Sequence, residues 1–279
     1  MKKRLTVHDI RTMKTTGEKI TMLTAYDASF ARLLSQAGID MLLVGDSLGN
    51  VILGYDSTVP VTMEEMLHHA KAVRRGAPDS LVVGDMPFMS YQVSIPEAIH
   101  NAGRFLKEAG CDAVKVEGGF EVCPTVSALV KAGIPVMGHI GLTPQTAGML
   151  GGYKVQGKDL EAARRQVAMA KGLEEAGAFA VVLECIPATL AQAISSEIAI
   201  PTIGIGAGAG CDGQVLVIHD MLGMFEKFIP SFVKQYAHLA PQIREAVQCF
   251  RQEVKAGSYP DGGHSFTMDA SIEEVLQRA

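Results

Sequence analysis

Short runs of apolar residues alternate with longer amphipathic stretches many times along this chain. The short runs have the length and the Val, Ile and Leu content of buried strands, and the longer stretches have the periodicity of helices that cover a sheet. Eight such runs predict strands, at residues 20–25, 39–45, 80–85, 112–117, 134–139, 178–184, 200–205 and 215–218. Eight strands alternating with helices predict a (β/α)8 TIM barrel, with residues 1–279 in a single domain.

The dipeptide Ala-Gly comes just before four of the predicted strands and indicates where helices end, because glycine accepts the left-handed backbone of a helix C-terminus. The four glycines are Gly38, Gly110, Gly133 and Gly177. After residue 220 the chain is predicted to form a helical extension, above all over residues 231–257. A polar tail and a last short helix follow, which are expected to cap the barrel or to reach a neighbouring subunit.

Composition excludes several classes of protein. The formal net charge is −5 and no Lys/Arg cluster is longer than the opening MKKR, so a nucleic-acid partner is not expected. No apolar run has the length of a membrane span or of a signal peptide, so a membrane partner is not expected either. Five cysteines without a CxxC pair suit reduced thiols, which predicts a cytoplasmic protein.

Four acidic residues each lie where a predicted strand ends: Asp46, Asp85, Glu117 and Glu184. Ligands bind at the carboxyl edge of parallel strands, so these side chains are expected to converge at an active site. Converging carboxylates repel one another unless a cation or a bound proton offsets their charge. The pattern therefore predicts a hard divalent metal ion at this edge.

Each of these positions also allows a structural interpretation. In GDSLGN, Asp46 and Ser47 could bind a small ligand or could cap the next helix or turn, and Asp85 in DMPF could likewise cap a loop. Lys115 and Glu117 are two residues apart, so they share one face of a strand. In a barrel that face is the interior, where the two side chains have a function or form a simple ion pair.

The fifth and sixth predicted strands end at His139 and Glu184. His139 could bind substrate or metal-bound water, or could be a satisfied structural histidine. The apolar neighbours of Glu184 are expected to raise its pKa toward that of a general base, and the alternative is an ion pair with a Lys or Arg. The glycine-rich residues 204–214 lie where many barrels bind phosphate, but they lack a dinucleotide fingerprint and are predicted to form a tight turn.

Several motifs together resemble one family, the ketopantoate hydroxymethyltransferases: GDSLGNVILGYDSTVPVTMEEMLHHAKAV, VVGDMPFMSY, AVKVEGG, GHIGLTPQ and IGIGAGAGCDGQVLV. They occur in order over nearly the whole chain. The resemblance implies a TIM barrel that binds Mg²⁺ and transfers a hydroxymethyl group from 5,10-methylenetetrahydrofolate to 3-methyl-2-oxobutanoate. The product is 2-dehydropantoate, in pantothenate and coenzyme A biosynthesis, and the reaction passes through an enolate. The resemblance also implies a homodecamer.

The resemblance implies a role for each strand-end residue. Asp46, Asp85 and Glu117 are expected at the magnesium site, and Glu184 is expected to accept the proton. The substrate is expected to contact Ser47 and Lys115, together with Asp46, Asp85 and His139.

Two other functions stay open at this point. One is a magnesium-dependent carbon–carbon lyase or mutase of the phosphoenolpyruvate mutase and isocitrate lyase type, whose lyases share a KKCGH motif that is absent here. The other is a catalytically silent barrel that binds an oxo acid or folate. The number of strand-end ionisable groups argues against it, because each costs stability unless it is used or paired.

Overall fold

The fold is a closed barrel of eight parallel strands that follow one another in sequence order, which confirms the predicted (β/α)8 architecture. The computed structural model describes residues 4–149, 151–269 and 272. The strands are β1 (Ile20–Thr24), β2 (Met41–Val44), β3 (Leu81–Asp85), β4 (Ala113–Glu117), β5 (Val136–Gly141), β6 (Ala180–Glu184), β7 (Thr202–Ile205) and β8 (Gly213–Leu216).

Ten α-helices accompany the strands within the described part of the chain. They are α1 (Val7–Thr16), α2 (Ala28–Gln36), α3 (Leu48–Val51), α4 (Met63–Gly76), α5 (Ile95–Ala109), α6 (Cys123–Lys131), α7 (Leu160–Glu175), α8 (Ala188–Glu197), α9 (Ile218–Met221) and α10 (Leu239–Ala256). Helix α1 precedes the barrel, and its Ile10 and Met13 pack against the amino ends of the strands inside the barrel. The amino end of the barrel is therefore closed by apolar side chains.

Local sequence signals define the ends of several helices. Thr62 caps α4 in a capping box with Glu65, and Ser94 caps α5. The four predicted glycines after α2, α5, α6 and α7 all have positive φ, between 70° and 97°, which confirms them as helix ends.

Alternate residues of each strand face the barrel interior, and the intervening residues pack under the helices. On β3, Leu81 and Val83 belong to the interior cluster, and Val82 packs outward. On β4, Ala113 faces inward, so Lys115 two residues later faces the same way. The prediction that Lys115 and Glu117 share the interior face is confirmed.

Most strand boundaries differ from the prediction by one or two residues, and β5 and β8 are each shifted by two at both ends. Strand β5 continues to Gly141 because Ile140 and Gly141 pair with Leu183 and Glu184 of β6. His139 consequently lies inside β5 rather than at its end. Strand β8 begins at Gly213, two residues before the predicted start.

Strands β7 and β8 are joined by residues 206–212 without a helix. Gly206 and Gly208 have φ angles of 62° and 75°, which glycine adopts at no steric cost. The predicted tight turn is confirmed.

The C-terminal extension is helical over a shorter range than predicted, because α10 begins at Leu239 and residues 222–238 are irregular. The backbone N–H groups of Tyr236 and Leu239 donate to the carbonyl oxygens of Met221 and Leu222, which holds this segment against the end of α9. The predicted last short helix lies outside the described residues. Within the described ranges no helix is long and apolar enough to cross a membrane.

Candidate active site at the carboxyl end of the barrel

A cleft of about 670 Å³ opens at the carboxyl ends of the strands. All seven residues predicted for the site line this cleft: Asp46, Ser47, Asp85, Lys115, Glu117, His139 and Glu184. The fold therefore brings together side chains that are far apart in sequence, since Asp46 and Glu184 are separated by 138 positions. The parallel barrel places each strand end at the same rim.

Lys115 forms the centre of the charged cluster. Its Nζ lies 2.8 Å from Oδ1 of Asp85 and 3.4 Å from Oε1 of Glu117. Asp85 is the nearer partner because it is paired with Lys115 across the β3–β4 register. Burial lowers the pKa of Lys115, but the surrounding carboxylates outweigh burial and hold the pKa above its usual value. The side chain is therefore an ammonium group.

The acidic residues respond differently to their surroundings. Burial raises the pKa of Glu117, but Lys115 and His139 lower that pKa to about 2. Burial raises the pKa of Asp46, and the Asp85 carboxylate raises it further. Burial also raises the pKa of Asp85, against the effect of Lys115. The Lys115 ammonium therefore does not fully offset the charges of Asp46 and Asp85.

This donor set fits a magnesium ion. Within the described residues no group of three or more His, Cys, Asp or Glu side chains is arranged to enclose a metal. Mg²⁺, however, commonly binds one or two carboxylates and completes its shell with water and substrate oxygens. Asp46 and Asp85, whose pKa values stay raised despite Lys115, supply such a pair. Both oxygens of Glu117 are engaged by Lys115, His139 and the backbone N–H of Gln145.

Gln145 is a site residue that the sequence reasoning missed. Its Nε2 donates to Oδ2 of Asp46 at 2.9 Å and to the carbonyl oxygen of Met86 at 2.9 Å. Its backbone N–H donates to Oε2 of Glu117 at 3.1 Å. The Tyr91 hydroxyl donates to Gln145 Oε1 at 2.8 Å, which fixes the orientation of the amide. Gln145 thus holds two of the predicted metal ligands in place. Its position in GHIGLTPQ, in the loop that follows β5, was the available signal.

His139 connects the cluster to Glu184. Its Nδ1 lies 3.2 Å from Oε1 of Glu117, and its Nε2 lies 3.2 Å from Oε2 of Glu184 without the alignment of a hydrogen bond. Burial and the Lys115 ammonium lower the pKa of His139, but the two carboxylates outweigh them and raise it to about 9. Glu184 forms no ion pair with a Lys or Arg of the described chain, so its partner is His139.

Glu184 lies at the end of β6 with 15% of its side chain exposed, more than any of its charged neighbours in the cluster. Gly141 has φ 94°, and a Cβ there would lie 2.1 Å from the Glu184 carbonyl oxygen, so only glycine allows this close approach. Burial and Glu184 raise the pKa of the adjacent Cys185 thiol to about 12. That thiol is therefore a poor nucleophile.

Ser47 contributes a hydroxyl group to the same rim. Its Oγ lies 2.9 Å from the Tyr26 hydroxyl, and its side chain makes no capping hydrogen bond to α3. The structural alternative of a helix cap is therefore not realised for Ser47.

The profile of the ketopantoate hydroxymethyltransferase family matches residues 4–262. A 3-methyl-2-oxobutanoate hydroxymethyltransferase from Desulfotalea psychrophila is 65% identical over 273 residues, which is 98% of each chain. The enzyme of that name from Carboxydothermus hydrogenoformans is 61% identical over 275 residues, 99% of each chain.

Solved structures share the fold at low identity. A phosphoenolpyruvate phosphomutase from Streptomyces platensis subsp. rosaceus superposes with a TM-score of 0.61 at 18% identity and covers 98% of this chain and 96% of its own. A phosphonopyruvate hydrolase in complex with oxalate and Mg²⁺ gives a TM-score of 0.60 at 15% identity, with the same coverage of both chains. These structures support the barrel alone. The family profile and the relatives, over nearly the full length, show that this chain belongs to the ketopantoate hydroxymethyltransferase family.

Proposed function

We propose that this protein transfers a hydroxymethyl group from 5,10-methylenetetrahydrofolate to 3-methyl-2-oxobutanoate and so forms 2-dehydropantoate for pantothenate and coenzyme A biosynthesis. One observation carries the proposal. A lysine ammonium with two metal-suited carboxylates lies on one side of the cleft, and Glu184 lies beyond His139 on the other. This separation suits a reaction that holds an oxo acid with one set of groups and removes a proton with another.

The magnesium site is proposed at Asp46 and Asp85, with Glu117 as the third acidic group. A bound Mg²⁺ supplies Lewis acidity that stabilises negative charge on the keto oxygen of the substrate, which is worth several kcal/mol. Gln145 orients Asp46 and Glu117 for this purpose through the hydrogen bonds described above.

Lys115, Ser47 and His139 are proposed to bind the oxo acid. The Lys115 ammonium is suited to the substrate carboxylate as a point charge, and its two carboxylate neighbours hold it in the barrel interior. The Ser47 hydroxyl and the protonated His139 ring add hydrogen-bond donors at the same rim.

Glu184 is proposed to take the proton from carbon 3 of the oxo acid. One water hydrolyses the methylene bridge of the folate: both carbon–nitrogen bonds break, the two protons of the water go to the two folate nitrogens, and the carbon is released as formaldehyde. The carbanion attacks this carbon, a carbon–carbon bond forms, and the proton taken by Glu184 passes to the resulting alkoxide oxygen, which balances the reaction. His139 holds the Glu184 carboxylate from the side away from solvent.

An activity measurement tests this proposal. The purified protein is incubated with 3-methyl-2-oxobutanoate, 5,10-methylenetetrahydrofolate and Mg²⁺, and 2-dehydropantoate is measured. Chelation should abolish product and added Mg²⁺ should restore it, and Asp46→Asn or Asp85→Asn should weaken Mg²⁺ binding and turnover together. Full turnover without metal, or unaltered metal affinity in both variants, contradicts the proposed site. Turnover of phosphoenolpyruvate instead would favour the mutase alternative.

Self-association as a homodecamer is also proposed. Helix α10 presents a row of exposed apolar side chains, Ile243, Val247, Phe250 and Val254, at helical spacing. Such a row is unusual on a free surface and suits burial against another subunit. Sedimentation velocity of the purified protein tests the assembly size, and a monomer contradicts the proposal.

A cytoplasmic location is proposed from the cysteines. All five are free thiols in the structure, as expected for a reducing compartment. Fractionation of cells that express the protein tests this, and recovery outside the cytosol contradicts it.

A further inference from the structure

Asp220 is a buried acid that none of the roles above explains. It lies in the short helix α9 after β8, lines the active-site cleft and is 8% exposed. Its backbone groups are bonded, but no described residue donates a hydrogen bond to its carboxylate or forms an ion pair with it. Burial raises the pKa of this carboxyl to about 6. An acid kept buried without a partner costs stability, which indicates a ligand.

Four apolar residues, called the slot from here on, line the cleft together with Asp220. Leu216 and Val217 precede Asp220 at the end of β8, and Phe225 and Phe232 come from the irregular segment 222–238. The segment is fastened to α9, because Gln235 Nε2 and the backbone N–H of Gly223 both donate to the carbonyl oxygen of Asp220. A flat, partly apolar ligand can therefore lie between these side chains with one polar edge toward the carboxylate.

The slot is continuous with the substrate side of the cleft. Tyr26 bonds Ser47 through its hydroxyl, and besides burial the charges of Asp220 and Asp46 both raise the pKa of that hydroxyl. Asp220 is therefore within electrostatic reach of the group that touches the proposed substrate site. The neighbouring His219 packs its ring on Tyr26 and Phe30 and does not line the cleft.

The chemistry of the ligand follows from the carboxylate. Two parallel N–H donors on one edge of a flat ring match the two oxygens of an acid. A pteridine presents such an edge at its 2-amino group and N3–H, and its ring faces suit the phenylalanine side chains. We propose that Asp220 binds the 2-amino and N3–H edge of the pteridine ring of the folate co-substrate, a proposal that rests on the function proposed above.

The test separates folate binding from the chemistry on the oxo acid. Asp220→Asn should bind tetrahydrofolate ~10–100-fold more weakly in calorimetry, since a hydrogen-bonded charged acceptor is lost. Its rate of solvent deuterium exchange into carbon 3 of 3-methyl-2-oxobutanoate, which needs no folate, should stay within about twofold of the wild-type rate. Asp56→Asn is the matched control, because Asp56 also lines the cleft but is fully exposed. Its tetrahydrofolate affinity should not change.

A second ligand identifies the edge that is bound. The 2-desamino-2-methyl analogue of tetrahydrofolate lacks one of the two donors, so wild-type protein should bind it ~10-fold or more weakly than tetrahydrofolate. In Asp220→Asn the affinities for the two ligands should differ by less than about threefold, because the interaction between the Asp220 carboxylate and the 2-amino group is lost. The wild-type comparison needs no variant, so it stands even if Asp220→Asn fails to fold.

Each outcome has one meaning. Equal binding of both ligands by wild-type protein, or unchanged tetrahydrofolate affinity in a folded Asp220→Asn, overturns the role of Asp220 and leaves the proposed function standing. Wild-type protein that neither binds tetrahydrofolate nor forms 2-dehydropantoate overturns the proposed function itself. Guanosine has a similar donor edge, and binding of guanosine with the affinity of tetrahydrofolate would overturn the assignment to a pteridine.

Discussion

The two ends of the barrel interior are built from the same strands but contain opposite kinds of side chain. At the amino end, Met41, Leu81 and Ala113 face inward and are fully buried among apolar neighbours. At the carboxyl end the same strands present Asp85 and Lys115. A distance of two or four residues along one strand thus separates a packed core from an ionic cluster. The side chains that stabilise the fold and the side chains proposed for catalysis therefore lie at opposite ends of the barrel interior.

The free energy of burying side chains differs between the two ends of the barrel, which explains why the apolar core and the ionic cluster are separate. Apolar burial at the amino end is favourable wherever packing is complete. Burial at the carboxyl end raises the pKa of Asp46 and Asp85, which means that their charged forms are held at a cost. Substitutions at the amino end are therefore expected to change the free energy of unfolding and not metal binding or catalysis. Substitutions at the carboxyl end are expected to do the reverse.

The largest effect is expected from a cavity at the amino end. Met41→Ala should lower the free energy of unfolding by ~2–5 kcal/mol, because Met41 is fully buried and a packed core relaxes only partly around a cavity. Urea unfolding measures this, and Mg²⁺ affinity should be unchanged. Leu33→Ala is the control, since Leu33 is 60% exposed on α2 and its loss should cost less than ~0.5 kcal/mol. A weakened metal site in Met41→Ala would show that the two ends are not separate.

The next effect is on catalysis at the carboxyl end. Glu184→Gln should slow deuterium exchange into carbon 3 of 3-methyl-2-oxobutanoate by ~10² or more, because the amide keeps the shape of the side chain and removes its basicity. Proton NMR with Mg²⁺ present follows the exchange, and the free energy of unfolding should change little. Wild-type exchange rates in this variant would remove Glu184 from the role of base and make His139 the next residue to test.

A smaller effect is expected where a residue acts through the metal ligands. Gln145→Leu should weaken metal binding by ~10–100-fold, since Asp46 loses the hydrogen bond from Gln145 Nε2 that orients it, whereas the backbone N–H that binds Glu117 is kept. Electron paramagnetic resonance of Mn²⁺ measures this affinity without turnover. Gln192→Leu, on the exposed face of α8, is the matched control. Unchanged Mn²⁺ affinity in Gln145→Leu would restrict Gln145 to a structural role.

The smallest effect concerns pH and the buried Asp220. Its folded pKa of about 6 lies above the ordinary value of 3.8, so the folded state binds the proton more tightly than the unfolded state does. The charged form therefore destabilises the fold at pH values above about 6, and this penalty disappears as the pH falls toward about 4. Asp220→Asn should raise the melting temperature at about pH 8 and not at about pH 4. An equal shift at both pH values contradicts this account.

Local sequence determined much of this protein. The strands could be located because a buried parallel strand is a short apolar run, and the glycines after α2, α5, α6 and α7 indicated helix ends because only glycine adopts that backbone cheaply. The seven predicted site residues share one cleft because strand ends of a barrel meet at one rim. The strand and helix signals depend on residues near one another in the chain, and the shared cleft follows from the barrel topology that those signals predict.

The tertiary structure alone decided which groups touch. The β3–β4 register made Asp85 the nearest partner of Lys115, and the longer β5 placed His139 between Glu117 and Glu184. Contacts across the fold also decided that Gln145 holds Asp46 and that α10 begins only at Leu239. Register, side-chain partners and buried charge depend on residues that are distant in the chain, so no local pattern contains them.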